Sequence, residues 1–80
     1  MSVKLYFENS RGERRVIADF GVAESGGCEE FMDAAMQKIK EFCDERNFRI
    51  YYTRMTRIGD DAHKMIMYDV GSHTEFFYLG

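Results

Sequence analysis

The side chains of this sequence with the widest chemical range are two histidines, two cysteines and four arginines crowded into residues 46–57. His73-Thr74-Glu75 follows Asp69, and His63 stands beside Asp60-Asp61, so imidazole and carboxylate lie close enough in sequence to raise metal binding. In an extended segment His73 and Glu75 point to the same side. A metal centre, however, needs three or four converging ligands, and a hydrolytic zinc site also keeps one position open. No helical pair of histidines and no closely spaced cysteines complete such a set. His73 is therefore expected to be a hydrogen-bonded turn residue. Asp60-Asp61 lacks the alternating oxygen ligands of a calcium loop and is expected to be a solvated turn. Neither a metal nor a cofactor is expected.

Nucleophile chemistry fares no better. Cys28 opens an expected helix, where a thiolate is favoured, yet no histidine lies near it in sequence to act as a base. Cys28 and Cys43 are 15 positions apart on that helix. At 1.5 Å per residue this is about 22 Å, against the roughly 7 Å that a disulfide spans between Cα atoms. Two packing thiols in a reducing compartment follow. Gly26-Gly27 ahead of the helix could offer bare N–H groups to a phosphate, but Glu29-Glu30 would repel an anion there. The chain reads as a protein that is not an enzyme.

Arg46, Arg49, Arg54 and Arg57, interleaved with Phe48, Tyr51 and Tyr52, make residues 46–57 a +4 island in a chain of net charge −3. Guanidinium groups pair with phosphates and exposed aromatic rings stack on bases, so Arg49, Tyr51, Arg54 and Arg57 are candidates for binding single-stranded nucleic acid. Alternation along a strand would divide them, with Arg49, Tyr51 and Arg57 on one side and Tyr52 and Arg54 on the other. The acidic total also argues against an indiscriminate polyanion binder. An ordinary role for these arginines is to neutralise Glu41, Asp44, Glu45 or the carboxylates of a partner.

The elements that must carry these groups follow from periodicity. Val3, Leu5 and Phe7 alternate with Lys4, Tyr6 and Glu8, the period-two pattern of a half-buried strand. Asn9-Ser10-Arg11-Gly12 supplies a turn. Residues 14–20 resume the alternation, with Val16, Ala18 and Phe20 on one side and Arg15, Ile17 and Asp19 on the other. Cys28, Phe31, Met32, Ala35, Ile39, Phe42 and Cys43 then recur at spacings of three and four, which predicts an amphipathic helix. Glu29, Glu30 and Asp33 favour its start, and Asn47 is a left-handed stop. Residues 48–57 predict a third strand, residues 64–70 a fourth that pairs with it, and residues 74–79 a short edge strand after the break at Gly71-Ser72-His73. A single α+β domain over residues 1–80 is expected, in the order β-β-α-β-β-(β): a mostly antiparallel sheet with one helix packed on one face.

One helix shelters only one face of such a sheet. The second face is expected to present Tyr6, Ile17, Tyr51 and Met55, one of the adjacent pair Phe76 and Phe77, and either Met65 and Met67 or Ile66 and Tyr68. Burying each large side chain is worth roughly 1.5–3 kcal/mol, which a small domain can hardly forgo. A partner surface is therefore assigned to Tyr6, Ile17, Tyr51, Met55 and Phe76, covered by a second copy of the chain, by the C-terminal Phe76-Phe77-Tyr78-Leu79 folding back, or by another protein, with a homodimer the first expectation. The longest apolar stretch is far short of the ~20 residues of a membrane helix, and no charged-then-apolar leader precedes Lys4. No membrane contact and a cytoplasmic location are expected.

The stretch Tyr68-Asp69-Val70-Gly71-Ser72-His73-Thr74-Glu75-Phe76-Phe77-Tyr78, preceded by Phe48-Arg49-Ile50-Tyr51-Tyr52-Thr53-Arg54, resembles small uncharacterised proteins encoded by phages and prophages of Gram-positive bacteria. The similarity covers about the last 30 residues and contains no catalytic signature. It implies a short accessory protein of a mobile element that acts by binding host or phage components.

Overall fold

A computed structural model describes residues 2–24, 27–60 and 64–80. Strands β1 (Ser2–Glu8) and β2 (Arg14–Val22) form the first hairpin. A 3₁₀ turn (Cys28–Phe31) leads into helix α1 (Met32–Glu45), and strands β3 (Arg54–Ile58), β4 (Met65–Asp69) and β5 (Phe76–Leu79) follow. The strands form one sheet in the order β2-β1-β5-β4-β3, with every neighbouring pair antiparallel. The fold is α+β.

Local chemistry explains the boundaries. The side chain of Asn9 accepts hydrogen bonds from the N–H groups of Arg11 and Glu13, at 2.9 and 3.0 Å, closing the first hairpin around Gly12 at φ 80°. At the end of α1 the N–H of Phe48 donates to the Cys43 carbonyl and that of Asn47 to the Asp44 carbonyl, at 2.8 and 3.2 Å. With Asn47 at φ 58°, this is the left-handed termination expected of that residue. The helix start differs from expectation in one respect, since its first turn is 3₁₀ rather than α.

The core lies between α1 and one sheet face. Val3, Leu5 and Phe7 of β1, Ile66 and Tyr68 of β4, and Phe77 and Leu79 of β5 meet Ala35, Ile39, Phe42 and Cys43 of the helix. The rings of Phe7, Phe42 and Phe77 form a cluster with centroids 4.7 to 5.6 Å apart, within the range of favourable aromatic pairs.

Several expectations are corrected. The third strand is shorter than residues 48–57, because residues 48–53 have no strand neighbour. β4 pairs with β3 only through Arg54↔Asp69 to Ile58↔Met65. Beyond Asp69 the chain turns at Gly71, φ 92°, which leaves one bond there, from the Tyr51 N–H to the Val70 carbonyl at 3.0 Å. Tyr51 therefore lies off the sheet, packed beside Gly71 and 68% exposed. Counting alternation from Phe48 also gave the wrong phase: Met55 stands opposite fully buried Tyr68 on the helix side, not on the second face.

Ile17 moves for a different reason. β2 carries two register shifts against β1, so Tyr6 faces Val16 while Leu5 faces Ala18, and Lys4 faces Asp19 while Val3 faces Gly21. Ile17 and Phe20 are the extra residues of two bulges. Both pack against the core, and Val16 takes the second-face position instead. β5 is central rather than an edge strand, lying between β1 and β4.

Candidate functional site

The second face of the sheet is built in rows, because residues paired across antiparallel strands share a side. The central row runs Val16, Tyr6, Tyr78, Met67 and Thr56 across β2, β1, β5, β4 and β3. On one side of it lie Arg14, Glu8, Phe76, Asp69 and Arg54. On the other lie Asp19, Lys4, Gly80, Met65 and Ile58, with Gly80 joined to Lys4 by reciprocal backbone bonds of 3.0 and 3.1 Å. The buried positions of β1, β4 and β5 that meet the helix all belong to the opposite set. Among the described residues no helix packs over these rows.

Tyr6 and Phe76, both assigned to this surface from the sequence, are half-buried here. Of the two alternatives for β4, Met65 and Met67 face outward and Ile66 and Tyr68 inward. Phe77 is fully buried in the core and Phe76 points the other way, as their adjacency requires. Ile17, Tyr51 and Met55 are not part of the surface, for the reasons given above.

At its centre is Tyr78, which sequence reasoning did not single out. Only 6% of it is exposed, although no helix shelters it. The Arg14 guanidinium lies 3.8 Å from the ring centroid, Arg14 Nε donates to Glu8 at 3.0 Å, and the Tyr78 hydroxyl donates to the other Glu8 oxygen at 3.0 Å. Burial, followed by the hydrogen bond to Glu8, raises the Tyr78 hydroxyl above its ordinary pKa. Arg14 is raised too, chiefly by its hydrogen bond to Glu8. The raised values keep the Tyr78 hydroxyl neutral and Arg14 cationic at neutral pH, and both donate to Glu8 beside the apolar row. The alternation of Lys4, Tyr6 and Glu8 signals this face in the sequence; the diagonal reach from β5 to Glu8 has no local signal.

The basic-aromatic candidates are dispersed. Arg57 projects to the helix side and donates to Glu29 at 2.8 Å, while Arg54 lies on the second face beside Asp69. Arg49 and Tyr51 keep company with each other in the segment before β3, guanidinium to ring 5.8 Å, and Arg54 lies 5.7 Å from Tyr52. A cleft between the first hairpin and the end of α1 gathers Arg14, Arg15 and Arg46, the last two over the Phe42 ring at 5.7 and 4.6 Å. Glu13 and Glu75 share that cleft, so its charge is mixed.

The remaining candidates have structural surroundings. His73 sits in a turn at φ 69°, where the Ser72 hydroxyl donates to the Glu75 carbonyl and accepts from its N–H. Among the described residues no three His, Cys, Asp or Glu side chains converge as metal ligands. His63 and Asp61 lie outside them, as does Gly26. Burial pushes both thiols above their usual pKa, opposite to an activated nucleophile. Nor is any helix among them long and apolar enough to cross a membrane. Comparison with protein-family models, curated proteins and solved structures gives no match to this chain.

Proposed function

We propose that this chain is a non-catalytic protein-interaction module that self-associates through the open face of its sheet. The observation that supports this reading is the row Val16, Tyr6, Tyr78 and Met67, flanked by Phe76 and Met65, which runs across four strands with no helix over it. Tyr78 is already covered by Arg14, but Val16, Tyr6 and Met67 around it remain partly exposed and gain from burial at roughly 25 cal/mol per Å², and a domain of this size has little core to spare. The resemblance of the last 30 residues to small phage and prophage proteins points the same way, toward an accessory protein that works by contact. Light scattering across a range of concentrations tests it: a mass rising toward twice 9.4 kDa supports self-association, and a constant 9.4 kDa overturns it.

A second reading, binding of single-stranded nucleic acid, is favoured by the exposed pairs Arg49 with Tyr51 and Arg54 with Tyr52. Phosphate contacts weaken steeply with salt. Retention of oligonucleotides at low ionic strength that disappears at high ionic strength would establish this reading, and no retention at low ionic strength would remove it.

A further inference from the structure

Resting on the self-association proposed above, we infer that the open face pairs with a second copy of itself about a two-fold axis that crosses the strands along the Tyr6–Tyr78–Met67 row. Two sheets packed in the aligned manner keep their strands within about 30° of one another. A symmetric, face-to-face pair of this kind has its axis in the plane between the sheets, either along the strands or across them. The two choices bring different residues together, and the charges on this face distinguish them.

Successive rows lie about 6.7 Å apart, two residues along a strand. With the axis across the strands, the central row meets itself and the two flanking rows exchange. Glu8 then meets Lys4 of the second copy and symmetry repeats the contact, so two oppositely charged pairs form, while the Arg14 guanidinium stays over its own Tyr78 ring. Phe76 falls over Gly80, where the Met65 side chain already lies, since a Cβ on Gly80 would come within 2.7 Å of it. Ring and thioether therefore meet, a favourable contact. At the other end of the rows Asp69 and Arg54, paired with each other across β4 and β3, meet Met65 and Ile58. With the axis along the strands, each row instead meets itself reversed, and Glu8 faces Asp69, like charge on like. Five strands at about 4.8 Å and seven residues of β1 at about 3.4 Å give each face roughly 20 by 23 Å. Two such faces bring together on the order of 1,000 Å², the threshold of a specific interface.

Two variants test the arrangement, read by sedimentation equilibrium separately and mixed. Lys4→Glu sets a carboxylate against Glu8 of the second copy, and Glu8→Lys sets an ammonium group against its Lys4. Each should weaken the homodimer roughly tenfold. Mixed, the two chains regain opposite charges at both contacts and should form a heterodimer about as tight as the wild-type dimer. Since the mixture compares the same two chains, any loss of monomer stability from Glu8 and its Arg14 and Tyr78 contacts is common to both measurements. A Glu8→Lys homodimer tighter than wild type would overturn the axis, because it relieves the clash with Asp69 in the other arrangement. Variants that dimerise as well as wild type, or a mixture no tighter than its components, would overturn it as well. A wild-type chain that never dimerises overturns the self-association on which the axis rests.

Discussion

The guanidinium of Arg14 stacks 3.8 Å from the centroid of the Tyr78 ring while its Nε holds Glu8 at 3.0 Å. One side chain thus covers the aromatic centre of the open face and fixes the carboxylate that accepts the Tyr78 hydroxyl. Arg14→Ala should lower stability by about 1 kcal/mol, the sum of an exposed cation–π contact and a partly exposed ion pair. Urea denaturation at low and high salt checks this, with the difference between wild type and variant shrinking as salt rises.

Tyr68 offers a pH test. Its ring is fully buried against α1 and its hydroxyl donates to the Met32 carbonyl at 3.4 Å. Burial, with lesser contributions from Cys28 and Asp33, pushes its pKa up to about 12 from the ordinary 10. A raised folded-state value means that the native chain keeps its proton longer than the unfolded chain. The associated stability is fully present below pH about 10 and is lost as pH rises toward about 12. Tyr78, also raised, adds to the same limb. Tyr68→Phe should leave neutral-pH stability within about 1 kcal/mol and flatten the alkaline fall, as measured by thermal melts between pH 8 and 12.

Asn47 carries the termination of α1 at φ 58°. Asn47→Gly should be neutral or slightly stabilising, and Asn47→Val should cost about 1–2 kcal/mol, because a β-branched side chain resists the left-handed region. Chemical denaturation of the two variants side by side distinguishes backbone strain from loss of the amide, which both variants share.

Cys28 and Cys43 should be nearly inert toward alkylation in the folded chain. Cys43 is 2% and Cys28 9% exposed, and burial raises both thiols. Labelling with iodoacetamide at pH 7 should proceed only at the rate of unfolding and become rapid in denaturant. Prompt modification of Cys28 in the native chain would show its thiol to be accessible.

What was legible in the sequence was local. Helix α1 follows from apolar residues three and four apart, its end from Asn47, and the first hairpin from Asn9 to Gly12, each a matter of a few neighbouring residues. That Phe76 and Phe77 take opposite sides follows from their adjacency. Ile17 and Met55 were misplaced because alternation presumes an unbroken ladder, and neither the bulges of β2 nor the late start of β3 is encoded in the period of its own strand. They depend on what β1 and β4 present. The central place of β5, and with it the meeting of Tyr78 with Glu8 and Arg14, is a contact over some 70 positions that no local pattern contains.

The two bulges of β2 have an effect at the rim of the sheet. A strand that slips out of step twice in nine residues gives an incoming extended peptide no long ladder to zip against. At the far rim β3 is only five residues long and carries Arg54 and Arg57. Both borders are thereby blunted against strand addition, which leaves the broad face as the route by which the proposed association would proceed.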